Sequence, residues 1–271
     1  MQSTISIFYH SFQAELLKIQ RTPILYIALI GGVFITGLIF IMHLFNAEGL
    51  IEPGRDPWMM YFDMGYAITC MALLVPYIVI LMSSMAYLEH NASAWKYVYS
   101  LPIAKSNIYF SKLALALLLI VATYIIYFLS VWGTPYIVDL IHPEYGFRAA
   151  TPELGNWIRR LVRSFLCILA VVGLQYWVSI RWQSFIIPIG IGLLGFIVAI
   201  ICVLTGKYDY ALWIPHAYAS LMALEIGITE ESDIVGLTKI GWFYRVELLS
   251  MALFVIFVAL GYIEQMKQNV K

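Results

Sequence analysis

The sequence predicts an all-α membrane protein. It should have six transmembrane helices, an N-terminal interfacial helix, two short cytoplasmic helices between spans 2 and 3, and a long external loop between spans 5 and 6. Two bulk observations carry this reading. Of 271 residues, 62% are hydrophobic and only 12% are charged, whereas a soluble domain carries about 25% charge. The apolar residues also fall in long runs, and about 20 such residues in a helix cross a bilayer core. A third observation is the placement of the charges: 16 Lys and Arg balance 16 Asp and Glu, and nearly all lie between the runs. Net neutrality gives no bias toward nucleic acid. We read one transmembrane domain over residues 1–271.

Residues 1–22 form the lead-in. Ile5, Phe8, Phe12, Leu16 and Ile19 recur at helical spacing, with Glu15, Lys18 and Arg21 largely on the other side. This pattern predicts a helix lying on the membrane surface; a plain cytoplasmic extension of the first span is the alternative. No cleavable signal peptide is expected, because the first apolar run is too long and no small-residue cleavage site follows it. Span 1 covers about 23–45 and starts at Pro23, whose missing N–H costs nothing there. Gly31, Gly32 and Gly37 line it, and small residues let helices approach closely in lipid.

Residues 46–63 read as an acidic external loop with a Pro53-Gly54 turn. Span 2, about 64–88, holds Pro76 at its middle, which should kink it or free a carbonyl. Span 3 covers about 113–132, and a Pro-containing polar loop follows over 133–157. Span 4, about 158–180, opens with Arg159, Arg160 and Arg163. After the tight turn 181–184, span 5 covers about 185–204, with Pro188, Gly190, Gly192 and Gly195. Residues 205–243 mix Trp213, Tyr218, Leu221 and Met222 with Glu230, Glu231 and Asp233, predicting amphipathic segments that dip into the outer interface. Span 6 covers about 244–263.

Each side of this six-span layout carries eight Lys and Arg, while the carboxylates divide as three and thirteen. The charge rule counts Lys and Arg, so the tie is broken by loop length and by the first span, which Lys18 and Arg21 precede. Both termini are placed in the cytoplasm; the Arg159–Arg163 cluster is the evidence against.

Sites for chemistry are sparse. The five histidines are scattered, and no HExxH, CxxC or GxSxG occurs. Cys70, Cys167 and Cys202 lie singly in apolar runs and read as buried filler. The spans show no carboxylates at mid-membrane, where ion-coupled transporters place ionisable groups. No catalytic residue, cofactor or metal ligand is assigned to this chain. Energy for any movement should then come from elsewhere, and the stretch 88–113 is where it could enter. It holds Lys96, Lys105 and Lys112 against Glu89, together with Trp95, Tyr97, Tyr99 and Tyr109. Pro102 forces Leu101 extended, so two short helices should meet at an angle.

That stretch, read as Glu89, Trp95-Lys96, Ser100-Leu101-Pro102-Ile103 and Lys112, resembles type-2 ATP-binding-cassette permeases, as does the AELLKIQRTP lead-in at 14–23. The layout is similar to six-span bacterial exporter permeases of the peptide-antibiotic immunity type. The resemblance implies that the chain forms the translocation path of an exporter in a bacterial cytoplasmic membrane. It would pair with a second permease chain, as a homodimer or with a related chain. A separate cytoplasmic ATPase, which holds the ATP and magnesium, would dock on coupling helices at 88–113. Glu89, Trp95, Lys96, Tyr99, Leu101, Pro102 and Lys105 would make that contact. Spans 1 and 5 would meet across the dimer, making Gly31, Gly32, Gly190, Gly192 and Gly195 interface candidates. Arg159, Arg160 and Arg163 would bind lipid phosphates, pair with outer-loop acids such as Glu225 or Glu247, or form an external gate. Two other readings stay open: a non-transporting scaffold or sensor that recruits a partner through 88–113, and a membrane-embedded enzyme.

Overall fold

The computed structural model describes residues 4–45, 54–91, 104–182, 184–227 and 235–267. Among them, six helices are long and apolar enough to cross a membrane. The first helix, α1 (Thr4–Ile19), precedes α2 (Pro23–Phe45), which is span 1. Span 2 is built from α3 (Pro57–Ile68), a π turn at Thr69–Leu73 and α4 (Leu74–Asn91). Span 3 is α5 (Lys105–Ile141), span 4 is α6 (Leu154–Arg181) and span 5 is α7 (Ile186–Leu204). Short helices α8 (Tyr208–Ala211) and α9 (Tyr218–Ala223) follow, then a hairpin pairing Lys239 with Tyr244 and Ile240 with Phe243, and finally span 6, α10 (Arg245–Lys267).

Several helices run past the apolar stretches that betray them. Span 2 begins at Pro57 rather than near residue 64. Asp56 caps it, accepting from the Trp58 N–H at 2.9 Å, and Pro57 occupies the first turn. Such a pair is a strong helix start. The extra turns carry Trp58, fully buried, whose indole N–H is shared between the carbonyls of Phe147 (2.8 Å) and Ala150 (3.2 Å). Trp157 stacks on Phe62 with centroids 4.8 Å apart. The starts of spans 2 and 4 and the loop at 142–150 therefore close around one aromatic cluster.

Span 3 likewise continues as helix to Ile141, across Gly133 and Pro135, where a loop from 133 was expected. Proline removes one backbone donor, a loss that membrane helices tolerate when neighbouring groups compensate. The carbonyl left without its donor is that of Val131; beside it Thr134 Oγ1 donates to the Ser130 carbonyl at 2.7 Å and meets Tyr61 Oη of α3 at 2.8 Å, which ties this stretch of α5 to span 2. The disturbance expected at Pro76 takes the form of the π turn just before it, in which the Leu74 N–H reaches back to the Thr69 carbonyl.

The segment after span 5 goes deeper than the interfacial dip expected of it. His216 lies against Gly195 at the middle of α7, where a Cβ would come within 2.6 Å of the ring. All six residues of α9 are buried, and Ser220 Oγ lies 3.4 Å from the Cys70 carbonyl in the π turn. The chain thus re-enters between spans 2, 4 and 5 before the hairpin leads into span 6.

Candidate functional site

The stretch 88–113 is framed by the end of α4 and the start of α5. Of the seven residues expected to couple, Trp95, Lys96, Tyr99, Leu101 and Pro102 lie outside the described residues. Glu89 sits in the last turn of α4, and Lys105 is the first residue of α5, after Ala104 in an extended conformation (φ −59°, ψ 130°).

Beyond Lys105, the first turns of α5 form a junction. The Lys112 ammonium lies 3.1 Å from Glu15 Oε2, and Glu15 Oε1 accepts from Lys18 at 2.6 Å. The side chains of Lys112 and Glu15 are only 4% and 7% exposed. The lead-in pattern puts Glu15 on the polar side of its helix. In the structure it instead shares the buried row Ser11, Glu15, Ile19, spaced by four residues, on the face of α1 that packs against α5. Phe12 and Leu16 join the protein core beside it, so much of the apolar stripe is covered by protein. A buried charge pair is retained only when geometry and further hydrogen bonds offset desolvation; two ammonium groups on one carboxylate meet that condition.

Three residues earlier, Tyr109 ties α5 to spans 4 and 6. Its hydroxyl donates to the Val258 carbonyl at 2.9 Å, and its own carbonyl accepts from Tyr176 Oη at 2.6 Å. Its ring meets those of Tyr176 and Tyr262 edge-on at 5.0 and 5.7 Å. Gly261 makes room for the contact, since a Cβ there would lie 2.7 Å from the Tyr109 hydroxyl. Trp177 Nε1 and Arg181 both donate to Glu264, at 2.8 and 3.0 Å, closing the same ends of spans 4 and 6. The first two turns of α5 are therefore held by α1, span 4 and span 6 together. The sequence places Tyr109 and Lys112 on one helix face without showing their partners; the spacing of Ser11, Glu15 and Ile19 is the signal that could have found them.

The arginine cluster at the other end separates into three fates. Arg160 pairs with Asp63 of span 2. Arg163 reaches Glu225 at 3.3 Å and lies 4.4 Å over the Tyr244 ring, while Tyr244 Oη donates to the same Glu225 oxygen at 3.0 Å. Fully buried Glu247 accepts from the Tyr244 N–H at 2.7 Å. Burial, followed by the negative charge of Glu225, pushes the Tyr244 hydroxyl, just before span 6, above its usual pKa. Arg159 is exposed. Two of the three arginines thus pin span 4 to span 2 and to the re-entrant segment.

Four of the five glycines face neighbours inside this chain. A Cβ would come within 2.5 Å of the Tyr77 ring at Gly31, 2.8 Å of Ile126 at Gly32, 2.5 Å of Val79 at Gly192 and 2.6 Å of His216 at Gly195. Gly190 faces open space. The outward faces of spans 1 and 5 are instead large and apolar, with Leu29, Val33, Leu38, Leu194, Ile197 and Ile201 exposed.

No match is found among curated proteins or among solved structures. The profile of the ABC-2 family transporter protein matches residues 11–199. That range runs from the buried row of α1, through the framed stretch and the arginine cluster, into span 5, and the chain therefore belongs to the ABC-2 family, as a multi-pass transmembrane component of an ABC transporter.

Proposed function

We propose that this chain forms the translocation path of an exporter in a bacterial cytoplasmic membrane, with both termini inside. A separate ATPase holding ATP and magnesium drives it. Two copies pair through the outward faces of spans 1 and 5, with Gly190 rather than the other four glycines free to meet the partner.

The observation that carries the reading is the junction at Lys112 and Tyr109. Trp95, Lys96, Tyr99, Leu101 and Pro102 lie shortly before it in sequence, between Glu89 and Lys105. A push on that segment enters α5 where α1, span 4 and span 6 are all attached. Trp95 and Tyr99 supply apolar contact to the ATPase, Lys96 and Lys105 pair with its acids, and the extended residue before Pro102 sets the angle between two short helices. Closure of the ATPases on ATP then moves the inner ends of four helices as one. Differential contact with the two ATPase states is what such a shift requires.

Co-purification tests this. The ATPase should leave with the wild-type chain and be lost when Trp95→Ala is combined with Lys96→Glu. Full retention by the folded double variant would remove the coupling assignment.

A further inference from the structure

Spans 1 to 4 enclose a cleft of about 310 Å³ that none of the preceding roles uses. Its floor is the π turn of span 2, which contributes Thr69, Cys70 and Leu73, and its inner wall is Thr123, Tyr124 and Tyr127 of α5. π turns of this kind recur at functional sites. Gly31 lets the Tyr77 ring lie across α2 and shape the wall. The mouth is bounded by Ile30, Phe34 and Ile80, which are 59%, 51% and 41% exposed on two membrane-spanning helices.

The polar groups of the lining decide what fits. Tyr77 Oη and Thr123 Oγ1 meet at 2.5 Å, and Tyr124 Oη and Ser164 Oγ at 3.3 Å. The Thr69 hydroxyl donates to the Gly65 carbonyl at 2.7 Å, and the Tyr66 hydroxyl to the Arg160 carbonyl at 3.3 Å. The Tyr127 oxygen is buried beside Gly65. Among the described residues, no charged side chain lines the cleft. Tyr127 apart, whose hydroxyl has no hydrogen-bond partner among the described residues but is sealed from the cleft, these lining hydroxyls are already engaged, so a guest's polar group would lose hydration there at a cost. An apolar void of about 150 Å³ already stays dry and takes up apolar guests, and protein interiors rarely leave larger ones empty. Ile30 and Phe34 share the outward face of span 1 with Leu29 and Val33, so the site requires that pairing of two copies leave this mouth open to the hydrocarbon.

We infer that the cleft is a binding site for one alkyl chain, which enters sideways from the bilayer and leaves its polar head outside. The chain belongs either to a membrane phospholipid or to a free single-chain amphiphile. This holds whether or not the ATPase coupling is correct, because it needs no ATPase.

The test is photolabelling in proteoliposomes, with a diazirine near the chain end of a phospholipid in one arm and of a fatty acid in the other. At least one arm should label the 69–77 segment several-fold above the lipid-facing helix 186–204, and the arm that does so names the source. Excess unlabelled chain of the same kind should suppress the labelling in the unmodified protein. Leu73→Trp should do the same by filling the cleft, whereas Leu129→Trp on the exposed face of α5 should not. Labelling of 69–77 no stronger than that of 186–204, or indifferent to competitor, would overturn the site. So would a disulfide forming between two Phe34→Cys chains with loss of the labelling, since a second copy would then cover the mouth.

Discussion

The two ends of the helix bundle use their charges differently. At the end beside 88–113, one carboxylate, Glu15, gathers Lys18 and Lys112 and joins α1 to span 3. At the opposite end, Arg160 and Arg163 reach Asp63 and Glu225 and hold span 4 to span 2 and to the re-entrant segment. The first junction adjoins the segment that links spans 2 and 3. The second closes over a segment that is already buried. Charged residues in this chain therefore serve mainly as fasteners, and the difference between fasteners lies in what they fasten.

Loss of the first junction should cost most. Glu15→Gln should destabilise the chain by about 3–5 kcal/mol, the usual cost of removing one partner of a buried pair. The exchange Glu15→Lys with Lys112→Glu should recover part of that loss, as read from thermal unfolding in detergent. No loss of stability in Glu15→Gln would show that α1 is held by packing alone.

Within span 5 the penalty should be smaller and set by packing. Gly195→Ala drives a methyl into the His216 ring and should cost about 1–3 kcal/mol, the range for overpacking. Gly190→Ala, facing open space, should change stability by less than about 0.5 kcal/mol in the isolated chain. A marked loss of paired chains in the Gly190 variant, measured by mass photometry, would place that residue against a second copy.

Weaker still is a pH response outside the spans. His142 Nδ1 lies 2.9 Å from Glu144, and Nε2 lies 3.1 Å from the Leu44 carbonyl. The Glu144 hydrogen bond, then the one to Leu44, raises the imidazole above its usual 6.5. A raised folded pKa stabilises fully below 6.5, and that contribution is lost as pH rises through the folded value. Amide exchange over 144–146, corrected for intrinsic pH dependence, should accelerate across that rise in the wild type and stay flat in His142→Gln.

Much of this architecture was legible as sequence. The six apolar runs marked the six spans, and Pro23 the start of the first. The Asp56-Pro57 start was equally readable, but the acidic character of 46–63 argued for a loop. Pro135 argued for a helix end, but α5 runs through it to Ile141. The depth of the re-entrant segment was not legible, because a run as short as Tyr218–Ala223 has no length signal and its burial depends on Gly195 admitting His216. The partners of Gly31 and Gly192 were hidden for the same reason: a small residue announces close approach but not by whom. For the junction beside 88–113, Lys112 was visible as a charge and Glu15 as part of a lead-in motif. Their contact spans 97 positions, which no local pattern reports.

Whether an ATPase sits on the segment between spans 2 and 3 is decided by placing a photoreactive amino acid at Lys96 in the full chain and irradiating intact membranes. One dominant adduct is expected, whose added mass and peptides are those of an ATP-binding subunit, and which disappears when Trp95→Ala is introduced. A dominant adduct with a protein that binds no ATP, or labelling of lipid alone, would contradict the assignment.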